Sequence, residues 1–248
     1  MTTPDLLYLA LITLALALDH FAFWPRFQRA SRTDPARARR GIWSAWMGML
    51  WGLVAAGVAL WLRTDRAWAS LGLHLPGGWR LWGSAGLVLA LAALYLSTFA
   101  QVTRATSARK SALRARFGDA AAILPHARHE LPRFVALSLT AGVCEEFVFR
   151  GYLIWVLQPV LGLWGAAAVS CAAFAAAHAY QGTEGILKTG LMGALLTLVV
   201  LASGSLLPAI VLHALVDVGS GSVAWLLLRE APMQDAQAAR AARAAEPA

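Results

Sequence analysis

Ala141-Gly142-Val143-Cys144-Glu145-Glu146-Phe147-Val148-Phe149-Arg150-Gly151-Tyr152 lies inside an apolar run spanning residues 134–157. The run is long enough to cross a hydrocarbon core, which takes about 20 apolar residues. Yet it holds two carboxylates and a guanidinium. A charge at the bilayer centre costs at least about 2.5 kcal/mol on insertion scales, and charges kept there face a bundle interior or a wet cavity. The stretch therefore predicts one helix of a polytopic membrane bundle with a polar interior.

The same ruler, laid along all 248 residues, predicts an all-α fold of about seven spans. They cover residues 6–24, 41–62, 81–102, 134–157, 161–180, 186–201 and 206–228. The sixth is short, which predicts tilt, a break or local thinning of the bilayer. Composition agrees: 59% hydrophobic and 14% charged, where a soluble domain carries about 25% charged residues. Mean hydropathy is +0.60. These figures exclude a disordered chain, a disulfide scaffold and a soluble globule. The net charge of +8 does not make a nucleic-acid binder, because the arginines fall in short segments between apolar runs, not on a face interleaved with aromatics. Cys144 and Cys171 sit in apolar runs and form no metal-type pair. The first run is too long for a signal h-region and lacks a basic n-region, so it reads as a retained anchor.

Loop charges orient the bundle. Arg26, Arg29, Arg32, Arg37, Arg39 and Arg40 separate the first two spans, and a second basic stretch from Arg104 to Arg133 separates the third from the fourth. The positive-inside rule places both in the cytoplasm, the N-terminus outside and the C-terminus inside. Four regions follow: N-terminal helices 1–102, a basic cytoplasmic or interfacial segment 103–133, a helical core 134–228 and a tail 229–248. Within residues 107–133, Leu113, Phe117 and Ile123 fit a helix lying on the inner surface with its basic face towards anionic lipid. A solvated charged loop fits the same residues. The tail from Pro232 reads as a frayed helix without chemistry.

The later spans concentrate the ionisable groups: Glu145, Glu146, Arg150, His178, His213 and Asp217. Glu146 and Arg150 are four apart and share a face, so an intrahelical ion pair explains both. Glu145 is turned about 100° away and has Phe149 as its neighbour four residues on, which leaves it without a local partner. His213 and Asp217 are again four apart, and His178 follows Phe174 by four. A carboxylate and a neutral imidazole can share a water and aim it at a carbonyl, while a second polar group stabilises the developing oxyanion. Glu145 with His178 suits the first task, and His213 with Asp217 the second. There is no GxSxG elbow and no aspartyl pair. Hydrolysis by an activated water is the economical reading.

The run around Glu145-Glu146 resembles the EExxxR motif of the CPBP family, which comprises CAAX prenyl proteases of the Rce1 type and bacteriocin-processing and immunity proteins. Phe174-Ala-Ala-Ala-His178 resembles its FxxxH motif and His213-Ala-Leu-Val-Asp217 its HxxxN/D motif. The resemblance spans residues 124–228 and leaves the first three spans unaccounted for. It implies an integral-membrane, glutamate-dependent endopeptidase. In that scheme Glu145 and His178 activate water, and His213 and Asp217 form the oxyanion side. Glu146, Arg150 and Phe174 support the site or hold substrate. Eukaryotic CAAX proteases place Asn where Asp217 stands. An ionised Asp would repel an oxyanion, so either Asp217 carries a proton or it orients His213, which alone donates.

The resemblance implies no metal or other cofactor. Zinc stays an alternative, because Glu145, His178 and His213 are acceptable ligands, although there is no HExxH. A non-catalytic immunity factor or scaffold is another alternative. A proton-coupled transporter would show two related halves, and none is visible. The expected partners are membrane lipids and a peptide or membrane-protein substrate, without nucleic acid. The Arg- and Ala-rich, Lys-poor composition points to a GC-rich bacterial genome, and the expected location is the bacterial inner membrane. Asp19 and His20 read as interfacial, and His126 and His129 as solvated. Trp24, Trp43, Trp61 and Trp79 read as an interfacial belt. Cys144 is a poor nucleophile in apolar surroundings.

Overall fold

The computed structural model describes residues 1–229, which form a helix bundle; no strand occurs among them. The expected tail from Pro232 lies outside the described residues. The first helix is continuous from α1 (Thr3–Leu18) through a π-helical turn (Asp19–Phe23) into α2 (Trp24–Ser31). The long α3 (Pro35–Arg63) starts where Asp34 accepts a hydrogen bond from the Arg37 backbone N–H, with Pro35 at the first helical position. That pairing of cap and proline is a strong start signal. α4 (Trp79–Thr103) follows, and only Val102 on it is buried, so its leucines face outward as lipid-facing residues do.

Next come the short α5 (Ser107–Ala115) and α6 (Leu131–Glu145), which runs into a second π-helical stretch (Glu146–Leu153) and then α7 (Ile154–Ala177). α8 (Gly182–Ser203) and α9 (Leu206–Leu228) complete the bundle. α9 is central, packing on α4, α6 and α8.

Among the described residues six helical stretches are long and apolar enough to cross a membrane, where about seven spans are expected. The difference has a local cause. Residues 128–177 form one stretch of 50 residues, which at 1.5 Å per residue is about 75 Å, more than twice a hydrocarbon core. It is broken at Gly162, whose backbone (φ 68°, ψ 169°) is open to glycine and not to a helix, with Pro159 just before it. The chain doubles back there. The Ser170 hydroxyl donates to the Phe149 carbonyl at 2.7 Å, and Phe174 meets Phe149 edge-on at 5.3 Å.

Several expectations need correction. The sixth span is not short: α8 has 22 residues, because Gly182, Thr183 and Glu184 add a polar first turn that hydropathy does not register. Trp43 and Trp61 are fully buried and belong to the core rather than to an interfacial belt. The Trp43 indole N–H donates to the Ile123 carbonyl at 3.0 Å. His126 is half-buried instead of solvated, with its Nε2 bonded to the Ala121 carbonyl at 3.0 Å, whereas His129 is exposed. Arg39 is buried in an ion pair with Glu130 and does not add to the exposed positive charge. Of the 107–133 segment residues 107–115 form an α-helix of their own, and residues 131–133 already belong to α6. Leu113 and Phe117 pack against Val102, Leu226 and Leu227, and Ile123 against Trp43 and Phe134.

Candidate active site

α6 and α9 approach closely at Gly142, where an added Cβ would stand 3.0 Å from the backbone nitrogen and Cβ of Ala214. Glycine is needed there to let the helices touch. One turn further along, the contact brings the α6 carboxylates against His213. Glu146 is fully buried, and its Oε1 accepts from Arg150 Nη1 at 2.9 Å and from His213 Nδ1 at 2.8 Å. Arg150 is spread over three further partners. Its Nη2 donates to the Gly193 carbonyl at 3.1 Å and its Nε to Thr197 Oγ1 at 3.4 Å, while the guanidinium lies 4.1 Å above the Phe174 ring.

The other ring nitrogen of His213, Nε2, stands 3.8 Å from Glu145 Oε2 and 3.8 Å from Asp217 Oδ2. Glu145 Oε2 and Glu146 Oε2 are both buried and accept no hydrogen bond from any described group. Buried acceptors are almost always satisfied, and an exception needs an explanation. A carboxylate can only accept from His213 Nδ1, so that nitrogen carries a proton. A proton on Nε2 would face both Glu145 and Asp217. The same reasoning applies to His178. Its Nδ1 donates to the Phe174 carbonyl at 2.8 Å, which in the neutral ring leaves Nε2 as a lone pair.

Phe174 links the two imidazoles: its ring centre is 4.7 Å from that of His178 and 5.8 Å from that of His213. Glu145, His178, His213, Asp217 and Phe174 all line one cavity of about 450 Å³. Glu146 and Arg150 stand behind its wall, tied to it through His213 and Phe174.

Residues 127–219 match the family described as type II CAAX prenyl endopeptidase, Rce1-like. This region is Rce1-like. No curated protein and no solved structure matches the chain. The match implies a membrane endopeptidase, a hydrolase, in keeping with the helices long and apolar enough to span a bilayer. The chain is thus an integral membrane protein. The Rce1-like region contains all seven residues singled out from the sequence. It leaves out the first helix, α3 and α4, which nevertheless line the cavity through Asp19, Trp46 and Tyr95 respectively.

Asp19 was read as interfacial, and the structure corrects this. It is 9% exposed, opens the first π-helical turn, and its Oδ1 accepts from the Trp46 indole N–H at 2.5 Å. Tyr180 and Ser220 also line the cavity and carried no sequence signal, while Lys188, another lining residue, is a charge inside the sixth predicted run. Asp19 did carry one: it is the only acid interrupting the first apolar run. Both π-helical stretches begin at a carboxylate beside this site, Asp19 on one and Glu146 on the other, and π-bulges concentrate at functional positions.

Proposed function

We propose that the protein is an integral-membrane endopeptidase of the cytoplasmic membrane that hydrolyses a peptide bond of a membrane-associated substrate with a water held by Glu145 and His178. The observation that carries this reading is the unpartnered, buried Glu145 carboxylate oxygen in a cavity shared with two imidazoles. Glu145 takes a proton from the water as the oxygen attacks the scissile carbonyl carbon. The C–N bond then breaks, and the proton passes to the leaving amine. His178 Nε2 accepts the water's second hydrogen and fixes its lone pair towards the carbonyl.

In this reading His213 is the oxyanion donor, through Nε2–H. Glu146, itself neutralised by Arg150, holds the opposite nitrogen and so sets the ring's direction. Asp217 and Glu145 flank the donated proton and keep it on Nε2. That assignment removes the difficulty of an aspartate where an oxyanion forms, because Asp217 need not donate. Lys188, whose side chain is 62% exposed, lines the cavity, on the side proposed as cytoplasmic. Nothing in the scheme requires a metal.

The test is a comparison of membranes from cells carrying the wild type, Glu145→Gln and His178→Ala, with peptide ends mapped by mass spectrometry. Peptides cut by the wild type and left intact by both variants are expected, with unchanged protein levels. Cleavage that continues in the Glu145 variant would remove the reading. Cleavage lost on exhaustive chelation and restored by zinc would move the chemistry to a metal.

A further inference from the structure

We infer that the groove between α2 and the first turns of α3 is a binding site for one anionic phospholipid, with its phosphate between Arg26 and Arg37 and an acyl chain along Phe23, Phe27 and Ile42. The groove has a volume of about 600 Å³, within the range of about 300–1,000 Å³ usual for small-molecule sites. Its floor is apolar: Phe27, Ala38 and Ile42 are buried in the protein yet line it. Its rim is cationic, with Arg26 and Arg37 both exposed and neither paired to a carboxylate among the described residues. Asp34 is the one acid in the lining, and its carboxylate is turned onto the Arg37 backbone N–H as the α3 cap.

Depth and charge select the occupant. The first helix runs over 29 residues, Thr3–Ser31, about 43 Å against a hydrocarbon core of about 30 Å. The surplus of about 13 Å carries its basic end through the headgroup layer. The groove lies at that end, where a lipid phosphate sits above and acyl carbon below. Residues 26–40 hold six arginines and one acid, and among the described residues only Arg39 is paired with a carboxylate, Glu130. A zwitterionic headgroup would leave this excess uncompensated. A headgroup with net negative charge answers it.

Native mass spectrometry of the purified full chain in detergent, titrated with phosphatidylglycerol or phosphatidylcholine, tests the inference. One phosphatidylglycerol is expected to stay bound at concentrations where phosphatidylcholine does not. Arg26→Gln with Arg37→Gln should weaken it roughly thirtyfold, at about 1 kcal/mol for each arginine near a charged surface. Arg29→Gln with Arg32→Gln removes the same charge outside the groove and should leave the adduct in place. Ala30→Trp keeps every charge but fills the groove, and should abolish the adduct while the thermal transition is retained.

Equal binding of the two lipids would overturn the site. So would equal loss in both double variants, since binding would then be diffuse electrostatics. Displacement of the lipid by millimolar inorganic phosphate would assign the rim to a free anion instead. A lipid-independent dimer mass lost in Ala30→Trp would assign the groove to a second copy. The readout does not involve cleavage, so it stands or falls separately from the proposed chemistry.

Discussion

Two buried ionic clusters sit at either end of one π-helical stretch, and they differ in how completely they are satisfied. At the Tyr152 end, both oxygens of Asp5 are used. Oδ1 accepts from Arg66 Nη1 at 2.6 Å and from the Tyr152 hydroxyl at 2.8 Å. Oδ2 accepts from the Thr2 backbone N–H and hydroxyl, each at 2.8 Å, and from Arg66 Nη2 at 3.1 Å. Arg66 is further stacked over Trp155 at 4.6 Å. At the Glu146 end, three carboxylates crowd one imidazole, and two of their oxygens are buried without a donor. A satisfied network rigidifies, while an unsatisfied one stores an unmet demand that a substrate or water can fill. The first cluster staples the N-terminus to the π-helical stretch; the second is where chemistry can occur.

The largest expected effect follows from the unmet demand. Glu145→Gln should lower the cleavage rate by roughly 10³-fold, the usual scale of losing a general base, while the melting temperature in detergent stays the same or rises. Its neighbour should behave differently. Glu146→Gln keeps an acceptor oxygen but removes the negative charge that the buried Arg150 guanidinium and the His213 ring share, so both activity and melting temperature should fall. Parallel rate and melting measurements on the two variants separate the roles. If the two behaved alike in both, the contrast between a reacting and a supporting carboxylate would be lost.

Breaking the satisfied cluster should give the opposite pattern. Asp5→Asn removes charge-assisted bonds worth about 2 kcal/mol, to be read as a lowered melting temperature. The cleavage rate per folded molecule should be unchanged at temperatures below the transition. A rate loss matching that of Glu145→Gln would mean that the staple also sets the site's geometry.

The contrast also explains what was legible in the sequence. Glu145, Glu146, Arg150, His213 and Asp217 were conspicuous because ionisable groups stand out against apolar runs, and their four-residue spacing gave their faces. The link that organises them was not legible. His213 is bonded to Glu146, 67 residues away, through a helix approach that depends on Gly142, and nothing local marks which of two adjacent glutamates the imidazole meets. Trp43 and Trp61 failed for a related reason: a tryptophan near a span end has the same local pattern whether it points to lipid or to Ile123. The π-helical stretches leave no periodic trace short enough to read. Spans were legible by length, except where Gly182–Glu184 extends α8 with polar residues.

Asp19 stands between the two kinds of cluster, since Trp46 satisfies one of its oxygens while the residue lines the cavity of the candidate site. Asp19→Asn keeps the shape and an acceptor for Trp46 but removes the charge. About a tenfold loss of cleavage is expected, the size of one hydrogen bond to a charged group, with little change in melting temperature. Trp46→Phe should lose less, because it spares the charge. A loss larger for Trp46→Phe than for Asp19→Asn would make Asp19 a brace for the indole and nothing more.

The smallest expected effect concerns a third cluster, satisfied like the first. Glu130 Oε1 accepts from Arg39 Nε at 3.0 Å, and its Oε2 accepts from the backbone N–H groups of His126 at 2.8 Å and Ala127 at 3.0 Å. His126 itself donates from Nε2 to the Ala121 carbonyl. Burial, aided by the nearby Arg39 guanidinium, holds its pKa below the ordinary histidine value. A depressed histidine pKa means that the neutral ring suits the fold. Its contribution is therefore fully present above the unfolded value of about 6.5 and is lost as pH falls through the lower, folded value. Between pH 7.5 and 5 the wild type should lose about 1–3 °C of melting temperature relative to His126→Gln, as fractions of a kcal/mol do in a chain of this length. An equal loss in the two proteins would place the acid sensitivity outside this third cluster.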